Sequence, residues 1–351
     1  PLLATTLWGV AGLARYTRGG QRDVMTIYWI LTLPVVLRHT LHLSLYSPDN
    51  DLMTLLVGLV VLGLLLEWLT APDDVPSGRL VTLALLVGVG VTYKLSFGVL
   101  GAAVALVALW RHWGISTRRW PPVVWGLVAG LALVVPWMAR GVILSGYPLY
   151  PSTFGPFPVD WRMIPESAEQ EAVWVRAWAR EPGAQGVGIG EFNMPDISGW
   201  DWVVPWLFDT FTTTPNIFDV TLPVALTLIF LGVQATRRDT WQIGWLAMLP
   251  IGAALIFWWW VAPSPRFAGA AFWGAAAITG ALVAAGTDPV ARGRLHGAAV
   301  AVMAASFLLM PTQLRIAFPS GETVFYEVPD PPTREATTPY TTYTAPTETD
   351  Q

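Results

Sequence analysis

Stretches of apolar residues long enough to cross a lipid bilayer recur along this chain and limit its fold more than any other feature. The hydrocarbon core of a bilayer is about 30 Å thick, which an α-helix of about 20 apolar residues can span. Such stretches lie near residues 24–45, 52–69, 123–139, 218–236, 241–261, 266–286 and 296–311. Only 13% of the 351 residues are charged, whereas a soluble domain carries about 25%. The pattern predicts an all-α, polytopic transmembrane helix bundle.

Segment 80–110 is longer than one membrane-spanning helix needs and short for two such helices. It contains Lys94 near its middle. Arginines cluster in the short loops between other spans, and the positive-inside rule places such loops in the cytoplasm. These arginines are Arg15, Arg18, Arg22, Arg111, Arg118, Arg119, Arg237, Arg238, Arg292 and Arg294. All of them reach the cytoplasm only if 80–110 crosses the membrane twice. It is therefore predicted to be a hairpin of two short helices with Lys94 at its outer turn.

The predicted topology divides the chain into four parts. Residues 1–139 form N-terminal transmembrane helices, 140–216 form one large external loop, 217–311 form C-terminal transmembrane helices, and 312–351 form a Thr/Pro-rich tail predicted to be disordered. The count is about nine complete spans. The chain begins in apolar residues 1–14, which are expected to be the end of a further, truncated span.

The external loop is predicted to contain an amphipathic helix from Glu166 to Arg180. Ser167 and Gln170 have the spacing of a capping box, and Trp174 and Trp178 share one face. Because tryptophan prefers the headgroup layer, we expect this helix to lie along the outer membrane surface.

Two basic residues at the outer ends of spans are candidate phosphate ligands. Lys94 is the only lysine of the chain, and an ammonium at the outer interface can bind a phosphate as a point charge. Arg266 follows Pro263-Ser264-Pro265, two prolines that stiffen the loop and favour a fixed guanidinium for bidentate phosphate binding. Each residue also has a structural alternative. Lys94 would extend its ammonium to the lipid headgroups, and Arg266 would lie at the membrane interface in a short rigid turn.

Aromatic and polar residues early in the external loop are candidate sugar ligands. They are Tyr147 and Tyr150 in a Tyr-Pro-Leu-Tyr-Pro string, followed by Asp160, Trp161 and Arg162. Aromatic faces stack on sugar rings, and a carboxylate accepts hydrogen bonds from sugar hydroxyls. The structural alternative is anchoring in the membrane interface, which explains the aromatic residues but not the Asp-Trp-Arg cluster.

Other ionisable residues favour structural roles. Arg38, His39 and His42 are expected in the helix core or at its outer end, and Asp49 and Asp51 in a solvated turn that could bind a cation. No metal site is predicted, and the absence of cysteine excludes disulfides and thiol chemistry. A net charge of −4 without a basic stretch excludes nucleic acid as a partner.

The segment from Leu86 to Leu100, two short apolar helices around a lysine, resembles the hairpin of integral-membrane glycosyltransferases of the GT-C superfamily. The string from Arg140 through Tyr147-Pro-Leu-Tyr-Pro151 to Arg162 is similar to that of one bacterial family of multi-spanning proteins. That family also shows a motif like Pro265-Arg266-Phe267. The resemblance covers most of residues 20–315.

The resemblance implies transfer of a sugar from a polyprenyl-phosphate donor to an envelope acceptor, on the external face of the bacterial cytoplasmic (inner) membrane. Lys94 and Arg266 would contact the lipid phosphate, and loop 140–216 would cover the sugar and acceptor. The acidic catalytic residue would lie in a first external loop upstream of Pro1, and a divalent cation is the one cofactor considered. The alternatives are a transporter or flippase with Arg38, Lys94 and Arg266 along its path, and a scaffold of an envelope complex.

Overall fold

The computed structural model describes residues 24–39, 50–70, 78–115, 120–181, 199–213, 216–235 and 241–285, and two short strands. The chain forms two compact units, Pro1–Met310 and Pro311–Gln351. The described residues of the first unit are helices and their connections. In the second unit, β1 (Arg334–Glu335) pairs with β2 (Thr342–Tyr343) in antiparallel orientation.

Ten α-helices occur in the described part of the first unit. They are α1 (Val24–Arg38), α2 (Asp51–Thr70), α3 (Gly78–Tyr93), α4 (Phe97–Ile115), α5 (Trp120–Ser145), α6 (Pro165–Arg180), α7 (Val203–Thr212), α8 (Leu222–Ala235), α9 (Trp241–Val261) and α10 (Ala271–Ala285). A π-helical turn, Ile217–Thr221, leads into α8, and a 3₁₀ turn, Pro265–Phe267, lies between α9 and α10.

Five of these helical segments are long and apolar enough to cross a membrane: α2, α4, α5, the π-helical turn with α8, and α9. Helices α1, α3 and α10 are apolar but shorter. The predicted all-α fold with several membrane-length helices is therefore confirmed. The count of about nine spans and the external position of loop 140–216 stay predictions. The predicted spans 1–14 and 296–311 lie outside the described residues.

Three sequence predictions differ from the observed helices in detail. Helix α5 continues to Ser145 rather than ending at 139, and α10 begins at Ala271 rather than 266 because the proline-containing loop precedes it. The capping box was a wrong prediction. Ser167 lies within the first turn of α6, its backbone N–H donates to the Ile164 carbonyl at 3.1 Å, and Pro165 starts the helix without a side-chain cap.

Helices α3 and α4 meet in a tight turn at Lys94. The backbone N–H of Lys94 donates to the Gly90 carbonyl at 3.0 Å, and the N–H of Phe97 donates to the Lys94 carbonyl at 2.9 Å. Gly90 allows this turn because a Cβ atom there would lie 2.3 Å from the Phe97 ring. The ring therefore packs directly on the α3 backbone and holds Lys94 between the two helix ends.

Small residues also bring α3 close to α5. Gly126 and Gly130 of α5 are four residues apart, the spacing that lets two helix backbones approach closely. A Cβ atom on Gly88 of α3 would lie 3.2 Å from the Gly130 carbonyl oxygen. The opposite side of α5 is exposed, as at Leu127 and Leu131, which suits contact with lipid.

Helix α2 forms the centre of the bundle. Its leucines Leu56, Leu59 and Leu62 have no exposed surface, and the Tyr28 hydroxyl of α1 donates to the Leu59 carbonyl at 2.6 Å. Its last turn carries Glu67, which forms an ion pair with Arg79 at 2.9 Å. Its first residue, Asp51, therefore marks the opposite end of the bundle, here called the site end.

Candidate functional site

Three charged side chains from distant parts of the sequence meet at the site end of the bundle. The Asp51 carboxylate, at the start of α2, forms an ion pair with Lys94 Nζ in the α3–α4 turn. Its second oxygen accepts a hydrogen bond from Arg266 Nε at 2.8 Å. The side chains of Asp51 and Lys94 are each 17% exposed, whereas Arg266 is 48% exposed. This Asp51 cluster (Asp51, Lys94, Arg266) holds two cations around one anion.

Aromatic rings flank both cations of the Asp51 cluster. Lys94 Nζ lies 4.2 Å from the centre of the Phe267 ring, and the Arg266 guanidinium lies 5.5 Å from the same ring and 5.8 Å from Trp178 of α6. These distances allow cation–π attraction. The cluster therefore links the bundle to α6 through its aromatic neighbours.

A short, heavily hydrogen-bonded loop carries Arg266. Residues 262–264 are buried between α9 and the 3₁₀ turn. The indole N–H of Trp206 in α7 donates to the Pro263 carbonyl at 2.7 Å, and that of Trp258 in α9 donates to the Ser264 carbonyl at 2.7 Å. Gly269, with φ of 55°, takes the left-handed backbone conformation that glycine accommodates best before α10 begins.

A cavity of about 350 Å³ opens beside Lys94. Its walls come from the α3–α4 turn, α9, residues 267–270 and α6, and most of them are apolar, as at Leu100, Phe257 and Val261. Glu171 and Arg176 of α6 add one charge of each sign. The cavity is therefore an apolar chamber with an ammonium group in its wall.

Helix α6 covers the cavity and is held there by polar contacts at both ends. The Tyr150 hydroxyl donates to the Glu171 carboxylate, and burial together with this carboxylate raises the pKa of Tyr150 to about 12. Arg180 Nη2 donates to the Trp260 carbonyl at 3.0 Å. Burial and the neighbouring Arg176 lower the pKa of Arg180.

The remaining predicted sugar ligands lie apart from the cavity lining. Tyr147 is 1% exposed and its hydroxyl donates to the Met163 carbonyl at 3.1 Å. Asp160 and Trp161 are exposed on the loop surface. Arg162 packs over Gly146, where a Cβ atom would lie 2.5 Å from its side chain. The structure thus brings Lys94 and Arg266 together and links Tyr150 to the cavity wall through Glu171. The cavity lining does not include Tyr147, Asp160, Trp161 or Arg162.

Asp51 is the participant that sequence reasoning assigned to a solvated turn. Its neighbour Asn50 donates a side-chain hydrogen bond to the Tyr93 carbonyl, which ties the start of α2 to the end of α3. Because the arginines before span 24–45 are predicted to be cytoplasmic, the loop at 47–51 after that span falls on the outer side, as predicted for Lys94 and Arg266. That shared side was the available signal, because an acidic residue between two basic turns is a natural ion-pair partner.

A second charged cluster lies where α1 ends and the π-helical turn begins. Arg38 contacts both Asp219 oxygens, Nε to Oδ1 at 3.2 Å and Nη2 to Oδ2 at 3.4 Å, and His39 Nε2 lies 3.3 Å from Oδ1. The Arg38 guanidinium lies 4.6 Å over the Phe218 ring. In this Arg38–Asp219 cluster (Arg38, His39, Asp219), Arg38 is the last residue of α1 and its side chain is 9% exposed, so the cluster is largely buried at a helix end. His42 lies outside the described residues.

Within the described ranges, no group of three or more His, Asp or Glu side chains could hold a metal ion. Neither curated proteins nor solved structures match the chain. A family model described as a domain of unknown function, DUF8201, matches residues 2–273. With more than half of its length matched, the chain belongs to the DUF8201 family.

Proposed function

We propose that this protein is an integral membrane, GT-C-like glycosyltransferase that binds the phosphate of a lipid-linked sugar at the Asp51 cluster. It transfers the sugar from a polyprenyl-phosphate donor to an envelope acceptor on the external face of the bacterial cytoplasmic membrane. The observation that carries the proposal is the convergence of Lys94 and Arg266 beside an apolar cavity.

The charges of the cluster suit an anionic group. Lys94 and Arg266 contact the two oxygens of one carboxylate, so a phosphate bound here can contact an ammonium and a guanidinium at one place. A phosphate can bind Arg266 through its planar set of donors and Lys94 as a point charge. The half-exposed Arg266 is the group that an incoming phosphate meets first.

The cavity suits the apolar part of the same ligand. Its volume of about 350 Å³ lies within the range of about 300–1,000 Å³ that is typical of small-molecule sites. Its walls are mainly aliphatic and aromatic, with Lys94 at one side. A phosphate attached to a hydrocarbon chain matches both features, whereas a free sugar phosphate matches only the charges.

Helix α6 has a position suited to limiting the access of water. It forms part of the cavity wall, and its Trp178 lies beside Arg266. Exclusion of water strengthens the phosphate contacts and reduces hydrolysis of an activated sugar.

Sugar transfer by membranes that contain the full-length protein tests the proposal. With a radiolabelled polyprenyl-phosphate sugar, Arg266→Ala is expected to lower transfer by about 100-fold, the typical effect of removing one charge-stabilising donor. The amount of folded protein should stay the same because Arg266 is half exposed. Arg79→Ala, at the opposite end of the bundle, is the matched control and should transfer normally.

Normal transfer by Arg266→Ala would exclude the phosphate role of Arg266. Uptake of the labelled lipid or of an anionic solute into proteoliposomes, without a covalent product, would instead favour the transporter or flippase alternative.

A further inference from the structure

Two indole groups hold the loop that presents Arg266. Trp206 and Trp258 donate to the carbonyls of Pro263 and Ser264, each at 2.7 Å. These are successive carbonyls, and the next residues form the 3₁₀ turn that carries Arg266. The two bonds come from different helices, α7 and α9, so they fix the loop from two directions.

The loop makes few backbone hydrogen bonds of its own. Pro263 and Pro265 have no backbone N–H to donate. The Ser264 N–H donates to the Ala262 carbonyl at 2.8 Å, and the Phe267 N–H donates to the Ser264 carbonyl at 2.9 Å. The Ser264 carbonyl therefore accepts both from Phe267 inside the turn and from Trp258 outside it, which couples the indole to the geometry of the turn.

Aromatic packing explains why the rings of Trp206 and Trp258 are buried. It does not explain why both indole N–H groups donate to carbonyls of the loop that carries Arg266. Trp206 packs on Trp202, Trp258 and Trp259 with centroid distances of 6.1, 5.7 and 5.0 Å. Buried indole N–H groups need an acceptor, and many carbonyls could provide one. Here both acceptors, the carbonyls of Pro263 and Ser264, lie within three residues of Arg266. The Arg266 guanidinium donates to Asp51 at 2.8 Å, and a shift of 1 Å would break this hydrogen bond.

Resting on the function proposed above, we infer that Trp206 and Trp258 are positioning residues that hold Arg266 in place for the phosphate. Trp206 belongs to helix α7 and precedes Arg266 by 60 residues in the sequence. Through its hydrogen bond to the loop, α7 becomes part of the proposed phosphate site. Loss of either indole donor leaves the guanidinium present but no longer aligned with Lys94 and Asp51.

Binding of farnesyl phosphate to the full-length protein in nanodiscs tests this inference. Trp206→Phe and Trp258→Phe keep an aromatic ring and remove the donor, and each is expected to weaken binding by about tenfold. Trp259→Phe is the matched control, because Trp259 belongs to the same aromatic group and does not bond to the loop. Its affinity should equal that of the unmodified protein.

A double-mutant cycle separates positioning from general packing. In an Arg266→Ala background, the two Trp→Phe changes are expected to cause no further loss of affinity, because they act through Arg266. Full additivity, or unchanged affinity in the single variants, would overturn the inference.

Hydrogen exchange of peptide 262–270 provides a measurement that needs no ligand. Exchange should be faster in Trp206→Phe and Trp258→Phe than in Trp259→Phe. If the unmodified protein does not bind farnesyl phosphate, the proposed function fails, and this exchange result then decides the positioning role alone. Equal exchange in all three variants overturns it.

Discussion

The two charged clusters have similar composition and different surroundings. The described contacts of each join one carboxylate to two basic side chains. In the Arg38–Asp219 cluster, Arg38 is 9% exposed, contacts both carboxylate oxygens and lies over the Phe218 ring. In the Asp51 cluster, Arg266 is 48% exposed and its Nε donates to Asp51 Oδ2 at 2.8 Å. The Asp51 cluster also has an apolar cavity beside it.

This difference suits the Arg38–Asp219 cluster to a structural role and the Asp51 cluster to the ligand binding proposed above. Both Arg38 and Asp219 are largely withdrawn from solvent and join α1 to the π-helical turn, so the pair stabilises a helix contact. Lys94 lines the cavity and Arg266 is half exposed, so both are accessible to the anion proposed above. The exposure of the arginine and the cavity beside Lys94, rather than residue type, distinguish the two clusters.

The largest expected effect is the loss of stability on removal of the Asp219 carboxylate. Asp219→Ala leaves Arg38 buried without its counter-ion, which costs about 3 kcal/mol of unfolding free energy. Thermal unfolding in detergent should show a clear fall in Tm, whereas the exposed Asp160→Ala should unfold like the original protein. An unchanged Tm for Asp219→Ala would show that the Arg38–Asp219 ion pair does not stabilise the fold.

A smaller effect is expected at Asp51, where substitution should increase ligand affinity rather than lower stability. Asp51→Asn removes the carboxylate that competes with a phosphate for Lys94 and Arg266, so farnesyl phosphate should bind about tenfold more tightly. Stability should fall less than in Asp219→Ala, because the amide oxygen introduced at position 51 still accepts a hydrogen bond and Arg266 remains partly solvated. Glu67→Gln, at the other end of α2, is the control and should leave binding unchanged. A loss of folded protein in Asp51→Asn similar to that in Asp219→Ala would show that the clusters do not differ.

The smallest expected effect concerns pH and the contact between Tyr150 and Glu171. Because the folded-state pKa of about 12 lies above the ordinary value of 10.0, the stability from this hydroxyl is fully present below pH 10 and lost as the pH rises toward 12. The difference in Tm between the original protein and Tyr150→Phe should therefore be constant up to about pH 10 and shrink above it. A difference that grows with pH would contradict the assignment.

Much of the helical fold was predictable because bilayer-length apolar runs are a strong signal. Helix α2 matches the run at 52–69 closely, and the turn at Lys94 lies where an even number of crossings places it. The end of α5 and the start of α10 were harder to predict. Apolar composition continues past residue 139, and the loop before Ala271 is set by tertiary hydrogen bonds.

The candidate site was only half predictable. A lone lysine and a proline-flanked arginine are visible in the sequence, but the partner they share is not. Asp51 belongs to a short polar stretch that reads as solvent-exposed, and only the packing of α2 against α3 and α4 places it between the two cations. Tyr147, predicted from its aromatic string to contact a sugar, is buried and its hydroxyl donates to the Met163 carbonyl, a placement that the string alone does not reveal.

The order in which the cluster residues are synthesised has a consequence for assembly in the membrane. Asp51 and Lys94 leave the ribosome early, and Arg266 follows Lys94 by about 170 residues. At about 5–20 residues per second, this is a delay of roughly ten to thirty seconds. During that interval Asp51 can already pair with Lys94, so the ammonium of the hairpin enters the bilayer with a counter-charge. Arg266 reaches Asp51 only when α9 and α10 join the bundle, so the proposed phosphate site is the last of these contacts to be assembled.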